Sequence, residues 1–453
     1  MKLNRRLQMK ALTALGTAAL IALAALPPGA SVAHADKAIV SSSTPLYGTV
    51  SAPAAKPLWS LQLMTFKQDG AVMTAALAES GRVFALVKGG QLAAYDGASG
   101  KQLWKYGTAL RPLLVYNQGT VFGLTKDGAI YALGTDGSRK WTAAIHADKA
   151  ASIEPIGGMV YVTENLTLYA LERATGKLLW KHTETSGEYE GGLTGITEDD
   201  GVVLRNYMVQ GALSSTQINA YDKMTGKQLW TSFRQSPPLA VKDGLVYSVT
   251  DTFMAGDNDP VHKTLHIAVM SLKTGALKGD RVYGWNAQPA NPGEYRFGGA
   301  YGSAFLDGSD LYVFQDQGVA KYDFAAYSPG GKPMQRWAAP DPRDYGPLYR
   351  VHNGRLLYQG FDDRAIEVLK TSTGQILRFP NGIQPVQTDL YGNGLFVAKA
   401  DGTLDAYDFA AVKPVFSLKT GSRDFESTLK SGAMLYVRSG GTLHAVKLPA
   451  NLS

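Results

Sequence analysis

The sequence predicts an all-β protein: a β-propeller of eight or nine four-stranded antiparallel blades, closed by pairing of its N- and C-terminal segments. Three observations carry this expectation. An aromatic-ended phrase recurs along the chain, alternating apolar runs fill the spaces between its copies, and the two ends resemble each other. A chain of 453 residues that is 45% apolar can bury a large core, and 50 Gly with 23 Tyr suit turns and strands better than long helices.

The N-terminus begins with Lys2, Arg5, Arg6 and Lys10, continues as an uncharged run from Ala11 to Leu26, and reaches Pro27, Pro28 and the small-residue site Ala33-His34-Ala35. This is the layout of a secretory signal peptide, with cleavage expected after Ala35. The run is shorter than the roughly 20 residues of a membrane span, so no transmembrane segment is expected after cleavage. Residues 36–56, rich in Ser, Ala, Pro and Lys, read as a linker or tail, and 57–453 as the propeller. Without the leader's four basic residues the chain has 41 Lys and Arg against 38 Asp and Glu, a net +3, and lacks the clustered cations that nucleic acid requires. There is no Cys, which excludes disulfides, a thiol nucleophile, covalent haem attachment and a lipid-modified Cys.

The phrases are KPLW at Trp59, KQLW at Trp104, SRKW at Trp141, KLLW at Trp180, KQLW at Trp230, PMQRW at Trp337 and KPVF at Phe416. Two degenerate copies complete the series: TGALKGDRVY, ending at Tyr283, and TGQILRF, where Arg378 and Phe379 replace the Trp. Successive copies lie 37 to 54 residues apart, a period shared by propeller blades and helical repeats. Runs such as GRVFALV, GLVYSVT, LAAYD and INAYD decide for strands, because they alternate, are β-branched or aromatic, and end at Gly or Asp. Each unit then has four strands, with D-x-x-T-G-K as the tight turn into the last; Asp and Thr can bond backbone amides there, and Gly176 supplies a positive φ. One sheet cannot bury both faces, so neighbouring sheets stack around an axis and each phrase aromatic plugs a seam.

The phrases AYDKMTGKQLW and ALERATGKLLW resemble the tryptophan-docking repeat of the quinoprotein (PQQ-enzyme-like) β-propellers, and the resemblance extends over about Pro57 to Leu448. AKPLWSL near the start mirrors VKPVFSL near the end, and the last unit, GAMLYVRSGGTLHAVKL, lacks an aromatic phrase of its own. Leu58 to Leu63 is therefore expected to supply its fourth strand. Nine inner and nine outer phrases imply nine blades, and the family resemblance implies eight.

Links between blades and second-to-third turns share one face of such a ring. Three long insertions map there, 182–192, 250–263 and 284–299, carrying Tyr189, Phe253, Trp285, Tyr295 and Arg296; the link near 339–350 adds Tyr345 and Arg350. These residue types are favoured at binding hot spots, whereas long loops are also tolerated on any surface. Another insertion, near Ser328, falls on the opposite face.

Catalytic signals are sparse. No G-x-S-x-G elbow or GK[ST] phosphate loop occurs. His262 and His266 have metal-ligand spacing only on a helix, DNDP at 257–260 lacks the order of a calcium loop, and DDG at Asp199 reads as a turn. The family's dehydrogenases hold a quinone with calcium, acidic and amide ligands and a pair of adjacent Cys, and no phrase here carries those ligands over. The resemblance instead suggests the BamB-like, non-catalytic branch, which serves outer-membrane protein assembly and docks partners through loops. Its lipid-anchored Cys is missing here.

The expectation is an exported monomer, periplasmic or secreted, with no cofactor. It would act as a binding or scaffold module toward an envelope or extracellular protein or polysaccharide. A pyrroloquinoline-quinone oxidoreductase with calcium and a carbohydrate-binding or carbohydrate-active propeller are the alternatives, since Trp and Tyr can also stack on sugar rings.

Overall fold

The D-x-x-T-G-K phrase builds one turn repeatedly. At Asp222 the carboxylate accepts the backbone N–H and the hydroxyl of Thr225, both at 2.8 Å, and Gly226 N–H donates to Asp222 O at 2.8 Å. Those bonds reverse the chain and lay Gln228–Phe233 antiparallel to Ser215–Asp222. A computed structural model describes residues 52–452 apart from 69–70, 186, 211–214, 252–260, 287–302, 316–317, 341–343 and 380–384. The signal-peptide expectation falls outside them. The described residues contain strands and turns and no helix.

Nine blades, each with four antiparallel strands, follow in chain order. Blades 1 to 4 span 76–106, 110–144, 152–183 and 189–233; blades 5 to 8 span 240–286, 303–338, 345–378 and 385–419. Blade 9 spans 429–447 and takes its fourth strand, Trp59–Gln62, from the far end of the chain. Trp59 opposes Ala445 and Gln62 opposes Thr442. Leu58 N–H and Leu63 N–H extend the pairing to Ala445 O and Gly441 O at 2.8 and 2.9 Å. First strands of neighbouring blades lie side by side at five junctions, that of blades 9 and 1 included, so first strands face the axis and fourth strands the rim. Links between blades and second-to-third turns form the loop face, and the remaining turns the opposite face.

Each of nine apolar clusters draws on two consecutive blades, filling nine seams. In six blades the phrase aromatic sits opposite a small residue, as in Ala94/Trp104, Ala132/Trp141, Ala170/Trp180, Ala220/Trp230, Ala445/Trp59 and Ala406/Phe416. The five indoles of this set donate across the seam to the next blade's turn: to Gly97 O (3.1 Å), Thr135 O (2.9 Å), Arg173 O (2.9 Å), Lys223 O (2.7 Å) and Leu272 O (2.8 Å). The turn glycine therefore has two roles. Gly176 takes a φ of 73°, and a Cβ there would lie 2.4 Å from the ring of Trp141, so the phrase supplies both a plug and the socket for the preceding plug.

Three blades depart from this pattern. In blade 5, Gly279 stands opposite Val269, in the Trp slot. Tyr283, expected from the sequence as the substitute, lies further along the strand against Tyr322, ring centroids 4.8 Å apart. Arg281 crosses the seam in its place, its guanidinium 4.7, 4.6 and 5.2 Å from the ring centroids of Tyr247, Phe324 and Tyr327, and donates to Phe324 O at 2.5 Å. In blade 6, Trp337 sits beyond the slot, opposite Val319 and stacked on Tyr312. In blade 7, Leu377 opposes Val368, and buried Phe379 follows.

Two further elements were not expected. A hairpin, Thr65–Gln68 with Ala71–Thr74, rises in the link from blade 9 to blade 1. Its exit is latched by Glu426, whose carboxylate accepts Thr74 N–H at 2.9 Å and Thr74 Oγ1 at 2.6 Å and meets Arg438 Nη1 at 3.2 Å. Ala54–Ala55, assigned above to a tail, pairs parallel with Lys413–Lys419 as a fifth strand on blade 8.

Candidate functional site

The loop face above blades 3 and 4 rests on a buried polar network. The first strand of blade 4, Tyr189–Asp199, shifts register between Gly192 and Ile196, and the guanidinium of Arg205 occupies the space beneath. A Cβ on Gly192 would lie 1.9 Å from Arg205 Nη2. Arg205 is 0% exposed; Nη1 donates to Tyr207 Oη at 3.0 Å, Nη2 to Asn165 O at 2.8 Å, and the guanidinium lies 4.6 Å from the Tyr207 ring. Glu184, just beyond the last strand of blade 3, is buried as well. Its carboxylate accepts Asn219 Nδ2 at 2.8 Å and the Tyr221 hydroxyl, with His182 Nε2 at 3.4 Å. The hydroxyls of Tyr207 and Tyr221 are 3.1 Å apart, so two phenols join a buried cation to a buried carboxylate.

Tyr189 is anchored on this base. Its hydroxyl accepts Gln217 Nε2 at 3.0 Å and Asn219 Nδ2 at 3.2 Å, and its ring packs 5.1 Å from that of Tyr207. Burial raises the Tyr221 phenol far above its ordinary pKa, reinforced by Tyr207 and the bond to Glu184. Burial also raises Tyr207, with Arg205 opposing. Neither phenol can serve as a base near neutral pH. The arrangement holds a shape rather than moving a proton.

The other loop-face candidates do not join Tyr189. Tyr345 begins the first strand of blade 7, three blades away; burial and a hydrogen bond to Glu367 push its phenol up to about 12. Arg350 lies on the same strand but close to the turn between His352 and Arg355, at the opposite face, because the strand runs from one face of the blade to the other. Trp285 does not project from a loop. The fourth strand of blade 5 runs on to Asn286, and Trp285, opposite Lys263, is buried in the seam with blade 6. Phe253, Tyr295 and Arg296 lie outside the described residues. The Arg205 network was missed in the sequence, although an Arg-Asn pair inside the apolar run VVLRNYMV was a legible signal.

A family model described as outer membrane protein assembly factor BamB matches residues 21–156, 107–199 and 126–379. The chain belongs to this BamB-like family of quinoprotein-repeat propellers. Among solved structures it is similar to BamB from Moraxella catarrhalis (14% identity, 86% of this chain and 98% of that one, TM-score 0.45). It is also similar to the quinohemoprotein alcohol dehydrogenase from Comamonas testosteroni (13%, 87% and 77%, 0.43) and a europium-containing methanol dehydrogenase (13%, 85% and 86%, 0.38). None of the curated proteins matches the chain in sequence.

The quinoprotein repeat raises the question of a quinone with calcium. Among the described residues no three His, Asp or Glu side chains converge as metal ligands. Three carboxylates on or beside the inner strands latch neighbouring blades: Glu154 accepts Ile196 N–H at 2.9 Å, Asp389 accepts Thr428 N–H at 2.7 Å, and Glu426 holds Thr74. His266 Nδ1 lies against Asp280 at 2.5 Å, and Asp200 turns the chain and pairs with Lys273 at 2.9 Å. The donor set of the described residues does not fit the calcium–quinone pair. No described helix is long and apolar enough to cross a membrane.

Proposed function

We propose that this BamB-like propeller is an exported, non-catalytic binding module whose loop face docks a protein partner in the cell envelope or outside the cell. The observation that supports this most directly is the anchored Tyr189. An aromatic fixed before encounter loses little side-chain entropy on binding. Closing a seam does not require a fully buried Arg, because the seam between blades 3 and 4 already has its apolar cluster and the Trp180 indole bond, and a buried ionic network is a poor source of stability. Its benefit is a defined position for the surface residue above it. Tyr345 offers a second, separate aromatic on the same face.

Affinity capture from native envelope and culture medium tests the reading, with wild-type bait compared with Tyr189→Ala and Glu184→Gln. Capture of a defined partner that falls at least tenfold with either variant is expected. Capture that both variants leave unchanged would remove the loop face above blades 3 and 4 from the account. A bound chromophore with alcohol oxidation after adding calcium and pyrroloquinoline quinone would replace the binding role with a catalytic one.

A further inference from the structure

We infer that a second loop-face position, the cleft between blades 1 and 2, receives a carboxylate carried on an apolar segment of a partner protein. The inference rests on the docking reading above and gives that face a chemical preference. The cleft has a volume of about 450 Å³ and is lined by Met64, Gly89, Gly90, Leu110, Arg111 and Lys126, with Ala109 and Pro112 at its wall. That volume falls within the range of small-ligand sites and admits a few peptide residues.

The cleft exists because two backbone segments meet there without side chains to fill the space above them. The link between the blades turns through Gly107 and Ala109, with φ of 66° and 51°. It lies so close to the second-to-third turn of blade 1 that a Cβ on Gly90 would be 2.9 Å from Ala109 Cα. Ala109 holds a conformation that ordinary residues avoid, and Leu110 N–H donates to Gly90 O at 2.9 Å. The floor is apolar, since Leu110 is 5% exposed and belongs to the seam core, with Met64 packed against it.

The charge is one-sided. Among the described residues Arg111 and Lys126 have no ion-pair or side-chain hydrogen-bond partner, although each lines the cleft. The adjacent acid, Asp127, is engaged in its own turn, where Thr125 Oγ1 donates to it at 2.5 Å and holds its pKa down. Two uncommitted cations above an apolar floor complement a carboxylate next to a bulky apolar group. Glycine walls admit a close peptide backbone. Met64 directly precedes the hairpin beginning at Thr65, so a segment seated in the cleft would meet the hairpin's base.

The full-length protein, carrying isotope-labelled methionine methyl groups, would be titrated with acetylated Gly-Leu-Phe bearing a free C-terminal carboxylate, with its C-terminal amide, and with dodecanoate. The carboxylate peptide should shift the Met64 methyl resonance saturably, and the amide should bind at least tenfold more weakly. Arg111→Gln with Lys126→Gln should erase that difference while leaving the other methionine resonances in place. Equal binding of acid and amide, or no Met64 shift with either peptide, overturns the inference. A shift with dodecanoate alone would assign the cleft to an anionic amphiphile and likewise overturn it. Since no native partner enters the titration, failure here leaves partner capture through Tyr189 as a separate result.

Discussion

The seam between blades 3 and 4 and the seam between blades 5 and 6 solve one packing problem with different chemistry. In the first, Trp180 fills the gap and its indole N–H reaches Lys223 O at 2.7 Å. In the second, the slot holds Gly279, and Arg281 supplies both bulk and donor, reaching the equivalent carbonyl of Phe324 from within an aromatic cage. What six seams share is therefore a donor aimed at the carbonyl after the turn's first residue, with enough surface to exclude water, while Phe416 and Leu377 fill their slots without one. Tryptophan is the commonest such donor. A guanidinium meets the same requirement, because its planar face stacks on rings while its edge donates.

Breaking the first seam should have the largest effect. Trp180→Ala removes a ring that is 7% exposed, and truncation of a buried Trp costs about 3 to 5 kcal/mol. Denaturant titration should show that loss; a change under 1 kcal/mol would mean the indole does not hold the seam. Gly226→Ala comes next. A Cβ there would lie 2.5 Å from the Trp180 ring at a φ of 69°, so a loss of about 1 to 3 kcal/mol is expected. In Trp180→Ala the collision disappears, and the second loss should shrink measurably in a double-mutant cycle.

Arg281→Met should cost about 1 to 2 kcal/mol, from one hydrogen bond and its ring contacts. Gly279→Trp should destabilise when Arg281 is present and be tolerated in Arg281→Ala, since both side chains claim one seam. Equal melting of the single and double variants would show that the slots are not equivalent.

The smallest effect concerns pH. His444, beside Ser60 in blade 9 (3.0 Å between Nδ1 and Oγ), has its pKa held below the ordinary 6.5 by burial. The unfolded chain then binds a proton more readily than the folded one. The contribution of neutral His444 is complete above about 6.5 and declines as pH falls through 6.5 toward the lowered folded value. His444→Gln should flatten the melting profile between about pH 7 and 5, and an unchanged slope would assign that dependence elsewhere.

Much of the ring was legible because its plugs are local phrases with a fixed turn. The KQLW copies name their own slot, and Ala opposite Trp is readable two residues before each turn. Arg281 was illegible for the converse reason. The phrase leaves Gly279 in the slot, four residues after Gly275 as Trp230 is after Gly226, so nothing in it names Arg281, and aromatic content pointed to Tyr283 instead. Trp285 misled in the same way: strand length, which no local phrase encodes, decides whether a residue near Gly and Asn is loop or seam. Of the loop-face candidates, Tyr189 could be named from its residue type. The Arg205, Glu184 and Tyr221 that fix it come from three separate strands or links, and only their meeting in space gives them a role.

The union of Trp59–Gln62 with Thr442–Lys447 also sets an order of events. Trp59–Gln62 is made long before Thr442–Lys447, so this stretch stays without its lawful neighbour while the eight intervening blades are synthesised. Joining ends so far apart is slow and leaves an adhesive edge in the meantime. A chaperone that shields Trp59–Gln62 should raise the yield of native rings more than one acting on any segment in the middle.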